Sequence, residues 1–160
     1  MEFRSGIVPV SPELLRAYRR TSYVAAGSVV RIGRRSAGID GRLGGMGAPA
    51  GGFVTAWNPL SKRMPDGWNR RMQRALIAHT RRLPCVTGHG IGRGWSEEHL
   101  FVAVDPRRLL VLARRFHQLG IVVVGRGRPA RLVLLSWPGG ALATKRSMPP
   151  SRWIAALRSQ

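Results

Sequence analysis

Apolar and polar positions alternate along this chain in two rhythms, one of period near four and one of period two, and the switches between them mark its elements. Ser11-Pro12-Glu13 opens a helix to about Arg20, with a small polar residue placed to cap free amides and proline pre-set at the first helical position. Thr21 to Ala25 and Val29 to Ile32 read as two short strands joined through Ala26-Gly27-Ser28, a hairpin by spacing and β-branched content. From Gly33 to Gly52 glycine recurs with few large apolar residues, which fits either a mobile connection or a poorly packed short helix. An apolar strand, Gly52 to Ala56, then runs into the corner Trp57-Asn58-Pro59. Asp66 is placed to cap a helix to about Arg82, whose face Trp68, Met72, Leu76, His79 and Leu83 repeats at helical spacing.

Beyond that helix, Cys85 to Thr87 predict a short strand, Gly88 to Gly94 a glycine-alternating loop, and His99 to Val104 another strand. Asp105-Pro106 repeats the cap-then-proline start for a helix with face Leu109, Leu112, Ala113 and Phe116, ended by Gly120. Ile121 to Val124 and Arg131 to Leu135 make a last pair of strands about Arg126-Gly127-Arg128-Pro129. From Phe53 the order is strand, helix, strand, strand, helix, strand, the split β-α-β pattern. The expected fold is therefore α+β: a ferredoxin-like two-layer sandwich with an extra N-terminal hairpin and a C-terminal edge strand. Residues 1–137 are expected to form a single domain and 138–160 a flexible basic tail, in which Ser151 to Arg158 has the pattern for one or two helical turns.

Composition narrows the function classes. A chain of 160 residues, 44% hydrophobic, supports one core, and no run approaches the roughly 18 apolar residues of a membrane helix. The N-terminus has no apolar signal region, and the single Cys85 forms no internal disulfide, so a cytoplasmic setting is expected. Charge changes the picture more: 27 Lys+Arg, nearly all arginine, stand against 7 Asp+Glu, for a net +20. A GC-rich genome exchanges Lys for Arg without changing charge, so the scarcity of acids is a physical property of the surface. Such a field attracts phosphate polymers and anionic surfaces.

The segments Phe53-Val54-Thr55-Ala56-Trp57-Asn58-Pro59-Leu60-Ser61, then Asn69 and Arg71, then Gly88, Gly90, Trp95 and Glu97, and finally Phe116 and Gln118 before Ile121, give the chain a resemblance. Over roughly Ala17 to Leu135 it resembles the bacterial domain-of-unknown-function family 3293, which implies no activity. It departs from that family's pattern at Gln73, where a second Asn is frequent, at His99, where a small hydroxyl residue is expected, and at His117, in place of glycine.

Candidate chemistry is thin. Asn58 at a strand end either holds the turn or faces a ligand, and Trp57 either packs in the core or stacks under a planar group. Asn69 and Gln73 lie four apart and share a helix face. The glycines around Arg93 invite a phosphate-cradle reading, but the loop leads into a strand and lacks Gly-Lys-Ser/Thr, so a flexible β-connection is expected. Cys85, His89 and His99 have no paired metal-ligand spacing, and Cys85 with His89 or His117 as base is a weak nucleophile pattern. Glu97 and Glu98 point opposite ways on a strand, against paired-carboxylate catalysis. No metal and no cofactor is expected.

Two functions follow. The favoured one is a non-catalytic module contacting nucleic acid or another polyanion through Arg71 and Arg74 on one helix, Arg107, Arg108, Arg114 and Arg115 on the other, and Arg126 and Arg128 at the last turn. The rival is a small-ligand binder or small enzyme built around Trp57, Asn58, Asn69, Arg93, Glu97 and Gln118. An interaction subunit using the tail has least support. A cavity joining the second set favours the rival, and one continuous arginine stripe favours the first.

Overall fold

A computed structural model describes residues 10–137, so the expected tail at 138–160 lies outside the described residues. Four helices, α1 (Pro12–Arg20), α2 (Ala37–Gly45), α3 (Asp66–Thr80) and α4 (Pro106–Arg115), accompany seven strands. The strands are β1 (Ser22–Ala25), β2 (Ser28–Val30), β3 (Ala50–Val54), β4 (Cys85–Gly92), β5 (Trp95–Val102), β6 (Gly120–Gly125) and β7 (Arg131–Leu134). They form one sheet in the order β2-β1-β4-β5-β3-β6-β7, with every neighbouring pair antiparallel. The mixed α+β class expected from the sequence is what the chain adopts.

Period-two alternation divides the core between the two sheet faces. Val54, Leu100, Val102, Ile121 and Val123 point to one face, where Trp68, Met72 and Leu76 of α3 and Leu109, Leu112 and Ala113 of α4 cover them. Phe53, Phe101, Val122 and Val124 point to the other, against Tyr23, Val30 and the α2 residues Ile39 and Leu43. A helix thus covers the second face as well, and the expected two-layer sandwich gains a third layer. The glycine-rich stretch contains both α2, with Ile39 and Leu43 fully buried, and most of β3. Sparse apolar residues hid the helix because its few large side chains are all spent inward.

Three boundaries differ from expectation for physical reasons. Helix α3 has Pro65 at its cap position with no side-chain cap, so Asp66 begins the helix instead of capping it. Its inner face runs through Asn69, Gln73 and Thr80, while His79 is exposed. Helix α4 ends at Phe116 and His117, where His117 takes the left-handed turn (φ 54°), and Gly120 belongs to β6. The expected loop Gly88 to Gly94 is mostly strand: β4 and β5 form a long hairpin paired from Cys85↔Val102 to Gly92↔Trp95. Its glycines mark close approach, since a Cβ on Gly88 would lie 2.6 Å from the Val24 carbonyl oxygen and one on Gly90 2.8 Å from His99 Cε1.

Candidate functional site

The corner after β3 is assembled by Asn58, which sits in the left-handed region (φ 45°) that asparagine tolerates better than most residues. Leu60 (φ 54°) and Ser61 (φ 56°) share that uncommon conformation around the short 3-10 turn Pro59–Ser61. The turn is held from outside, because the Leu60 amide donates to the His117 carbonyl at 2.7 Å. Asn69 of α3 meets Asn58 reciprocally: its Oδ1 accepts from the Asn58 amide and its Nδ2 donates to Asn58 Oδ1, both at 3.0 Å. Asn58 Oδ1 also accepts from the Met64 amide at 2.9 Å. The remaining group, Asn58 Nδ2, donates to Glu97 Oε1 at 2.6 Å. Corner and carboxylate therefore converge.

A cavity of about 230 Å³ opens at this meeting point, between α1 and the sheet face that carries Phe53. Trp57, Asn58, Glu97 and Gln118 line it together with Tyr18 of α1, Tyr23 of β1, Thr55, Ser61 and Arg63. Trp95, Glu97 and His99, alternate residues of β5, project to the same side. Of the candidate set, Asn69 is buried behind the corner and supports it, whereas Arg93 stands exposed at the β4–β5 turn and lines a neighbouring groove instead. Extending the strands through the glycines carries the turn, and Arg93 with it, away from the corner.

Gln118 and Gln73 do positioning work. Gln118 Nε2 donates to the Trp57 carbonyl at 3.1 Å and the Phe116 carbonyl at 3.2 Å, and its own carbonyl accepts from Trp137 Nε1 at 3.0 Å. Gln73 Oε1 accepts from the Ala56 amide at 3.0 Å, and Thr55 Oγ1 donates to the Glu98 carbonyl at 2.6 Å. Gln73 therefore satisfies backbone that an irregular strand end would leave bare. The Trp57 indole Nε1 is buried with no hydrogen-bond partner among the described residues.

Electrostatics at the cavity follow from burial. Burial pushes the Glu97 carboxyl above its ordinary range, against the Asn58 hydrogen bond, which favours the charged form. No cation lies within 4.0 Å of Glu97 among the described residues, although the chain carries 27; Arg16–Glu13 and Arg35–Asp40 are pairs elsewhere. Burial raises both phenols as well, Tyr18 with Ser61 hydrogen bonding in opposition and Glu97 adding to the rise, and Tyr23 further through Tyr18. His99 is pushed down to about 4 by burial, so its ring is neutral at ordinary pH. Its Nδ1 lies 3.1 Å from the Gly90 amide, from which it can accept, and 3.1 Å from the Glu97 carbonyl, to which it can donate.

The other candidate groupings do not assemble. Cys85 and His89 sit four residues apart on β4, about 13 Å along a strand, and His99 faces the opposite side of the sheet. No group of three His, Cys, Asp or Glu residues among the described ones is arranged to hold a metal ion. No helix there is long and apolar enough to cross a membrane. Arg71, Arg74, Arg107, Arg108 and Arg114 are exposed on α3 and α4, and Arg115 Nη1 donates to His79 Nε2 at 3.0 Å between those helices. Arg126 and Arg128 stand apart from them, at a turn whose Gly127 amide donates to Asp40 Oδ1 of α2 at 2.9 Å. The arginines thus form separate groups on the two sides of the sheet.

Tyr18, Tyr23, Ser61 and Arg63 were not found by sequence reasoning. The signal available was Glu97 itself, one of 7 acids, alternating with the buried His99 and Phe101 on one strand face. Residues 54–121, from the end of β3 to the start of β6, match the model of a family described as Protein of unknown function (DUF3293). No curated protein and no solved structure was found to match the chain.

Proposed function

We propose, for this member of the DUF3293 family, that the chain binds a small molecule in the cavity beside the Trp57-Asn58-Pro59 corner, with Glu97 as the group that recognises it. The observation that carries this is a cavity-lining carboxylate tied to Asn58 at 2.6 Å and lacking a cation partner among the described residues, in a chain of net charge +20. A desolvated carboxylate without a counter-charge is costly, and a ligand that donates hydrogen bonds or carries positive charge offsets that cost. Backbone strain at Asn58, Leu60 and Ser61 supports the same reading, because such conformations concentrate where the chain is shaped for a ligand. Tyr18, Trp57 and Trp95 supply aromatic walls for an organic group. The ferredoxin-like reading is supported by the central order β4-β5-β3-β6 and by α3 and α4 sharing one face.

The experiment is a thermal-shift screen of small amines, amidines and nucleobases on the wild type, Glu97→Gln and Arg126→Gln. A ligand at one hundred times its Kd adds about 2.7 kcal/mol to stability. Shifts lost in Glu97→Gln and kept in Arg126→Gln are expected; hits indifferent to Glu97, or no hits at all, refute the proposal.

A second reading, polyanion contact, is favoured by one observation: Arg71, Arg74, Arg107, Arg108 and Arg114 are exposed on α3 and α4, which pack together on the sheet face opposite the cavity. Each phosphate neutralised on duplex DNA contributes a slope of about −0.9 in log K against log salt. Replacing Arg107, Arg108 and Arg115 with Gln should lower that slope in anisotropy titrations of a random duplex, and an identical slope removes this surface.

A further inference from the structure

A second depression adjoins the cavity. It runs between α1 and the β4–β5 turn, is about 450 Å³, and is lined by Glu13, Arg16, Arg20, Arg93 and Trp95. Ala17, Thr21 and Trp95 line both hollows, so the two are continuous across Trp95. The three cations reach it from different elements. Arg20 is in the last turn of α1 and Arg93 at the tip of the hairpin, while Arg16 is bonded to Glu13 at 2.9 Å. Three guanidinium groups against one carboxylate leave an uncompensated positive end.

The platform between the hollows is fixed by a specific residue. A Cβ on Gly92 would lie 2.1 Å from the Trp95 indole, so the ring lies directly over a bare stretch of β4, while 43% of Trp95 stays exposed. Any side chain at position 92 would lift the ring. Trp95 and Glu97 are two residues apart on one face of β5, a separation of about 7 Å, within the reach of one small molecule.

We infer that this groove is an anion subsite of the same binding site: a phosphate or carboxylate of the ligand is held by Arg16, Arg20 and Arg93, and the rest of the ligand crosses Trp95 to reach Glu97. This rests on the ligand reading of the cavity and adds the ligand's class, a small molecule with an anionic group at one end and a hydrogen-bond donor at the other. Guanidinium forks suit either oxyanion through paired N–H donors. The indole face accepts a planar or alkyl linker between the two ends.

The test is a titration of the full chain with inorganic phosphate, and separately with acetate, at constant ionic strength. The readout is the Trp95 indole N–H in proton–nitrogen correlation spectra, assigned with Trp95→Phe. Saturable movement of that signal is expected, with the apparent Kd rising about tenfold or more in Arg20→Gln/Arg93→Gln, because charge-assisted hydrogen bonds are lost. It should be unchanged in Arg126→Gln/Arg128→Gln, which removes the same charge elsewhere. Response to phosphate alone identifies a phosphoryl group, to acetate alone a carboxylate, and to both an oxyanion of either kind.

Equal weakening in the two double variants makes the binding a property of net charge and overturns the subsite, as does an unmoved Trp95 signal. The screen separates the two claims: a hit that needs Glu97 but is indifferent to Arg20 and Arg93 sinks the subsite alone. Phosphate held at Trp95 with no Glu97-dependent hit sinks the cavity reading, and with it the two-ended ligand.

Discussion

Replacing Asn58 with alanine removes three side-chain hydrogen bonds in one step: those accepted from the Met64 amide and Asn69 Nδ2, and the one donated to Glu97. Each contributes about 1 kcal/mol net, and the half-buried corner lets water recover part of the loss, so about 2 kcal/mol is expected from bonding. Alanine at a positive φ adds about 1 kcal/mol that asparagine largely avoids. The total, about 3 kcal/mol, corresponds to a fall in Tm of roughly 10 °C for a domain of this size. Urea unfolding followed by circular dichroism measures the free energy, and Asn58→Gly, which tolerates the backbone but makes none of the bonds, separates the two parts at about 2 kcal/mol. A double-mutant cycle with Asn69→Ala should show coupling of about 1 kcal/mol, since Asn69 Nδ2 donates to Asn58 Oδ1. Values within about 0.5 kcal/mol of wild type for both Asn58 variants would refute the reasoning, because that is the range of a surface change without partners.

Three further outcomes are expected. Folded Glu97 keeps its proton to higher pH than the unfolded chain does, so its contribution is full below the ordinary carboxylate range and is lost as pH rises through the raised value. Melts between about pH 4 and 7 should therefore show a downward component that Glu97→Gln removes, and an unchanged profile contradicts the burial of this group. His99, lowered from 6.5 to about 4, contributes stability above its unfolded value that is lost as pH falls through the folded one, and nitrogen shifts of its ring should still report a neutral imidazole at about pH 5. Gly88→Ala, whose Cβ would meet the Val24 carbonyl oxygen at 2.6 Å, should cost about 2 kcal/mol in chemical denaturation, whereas Gly41→Ala, with open space on α2, should stabilise by about 0.5–1 kcal/mol. Equal effects from the two would discount the close approach of β1 to β4.

Elements whose signals are local were legible. Ser11 and Asp105 announce their helices because the same side chains that mark the sequence accept the bonds, from the Leu14 amide at 3.1 Å and the Arg107 amide at 2.8 Å. Order alone brought the strand bearing Glu97 toward the corner of β3, so four of the six candidates, Trp57, Asn58, Glu97 and Gln118, do line one cavity. What stayed illegible depends on which face a neighbour covers. Glycine at positions 88, 90 and 92 erases the alternation that reports a strand, and the reason for those glycines, the nearness of Val24, His99 and Trp95, exists only after folding. The placement of α1 over the Phe53 face has no mark in its own sequence, which is why Tyr18 and Tyr23 went unseen and Arg93 was placed in the wrong hollow. The glycine expected at position 117 acquires a reason, since His117 occupies a left-handed turn that glycine fills without strain.

Adjacent acids on β5 give the hairpin a duty beyond stability. Were β5 to slip by one residue against β4, every side chain would change face, and Glu98 would enter the cavity in place of Glu97 with a carboxylate of identical chemistry. Asn58 would then meet a decoy. The seating of His99 over Gly90, with Nδ1 at 3.1 Å from that amide, fits only one pairing and so works as a key that rejects the misaligned hairpin. Weakening that key should release a population with its site inverted while the sheet itself persists, a failure of identity without a failure of folding.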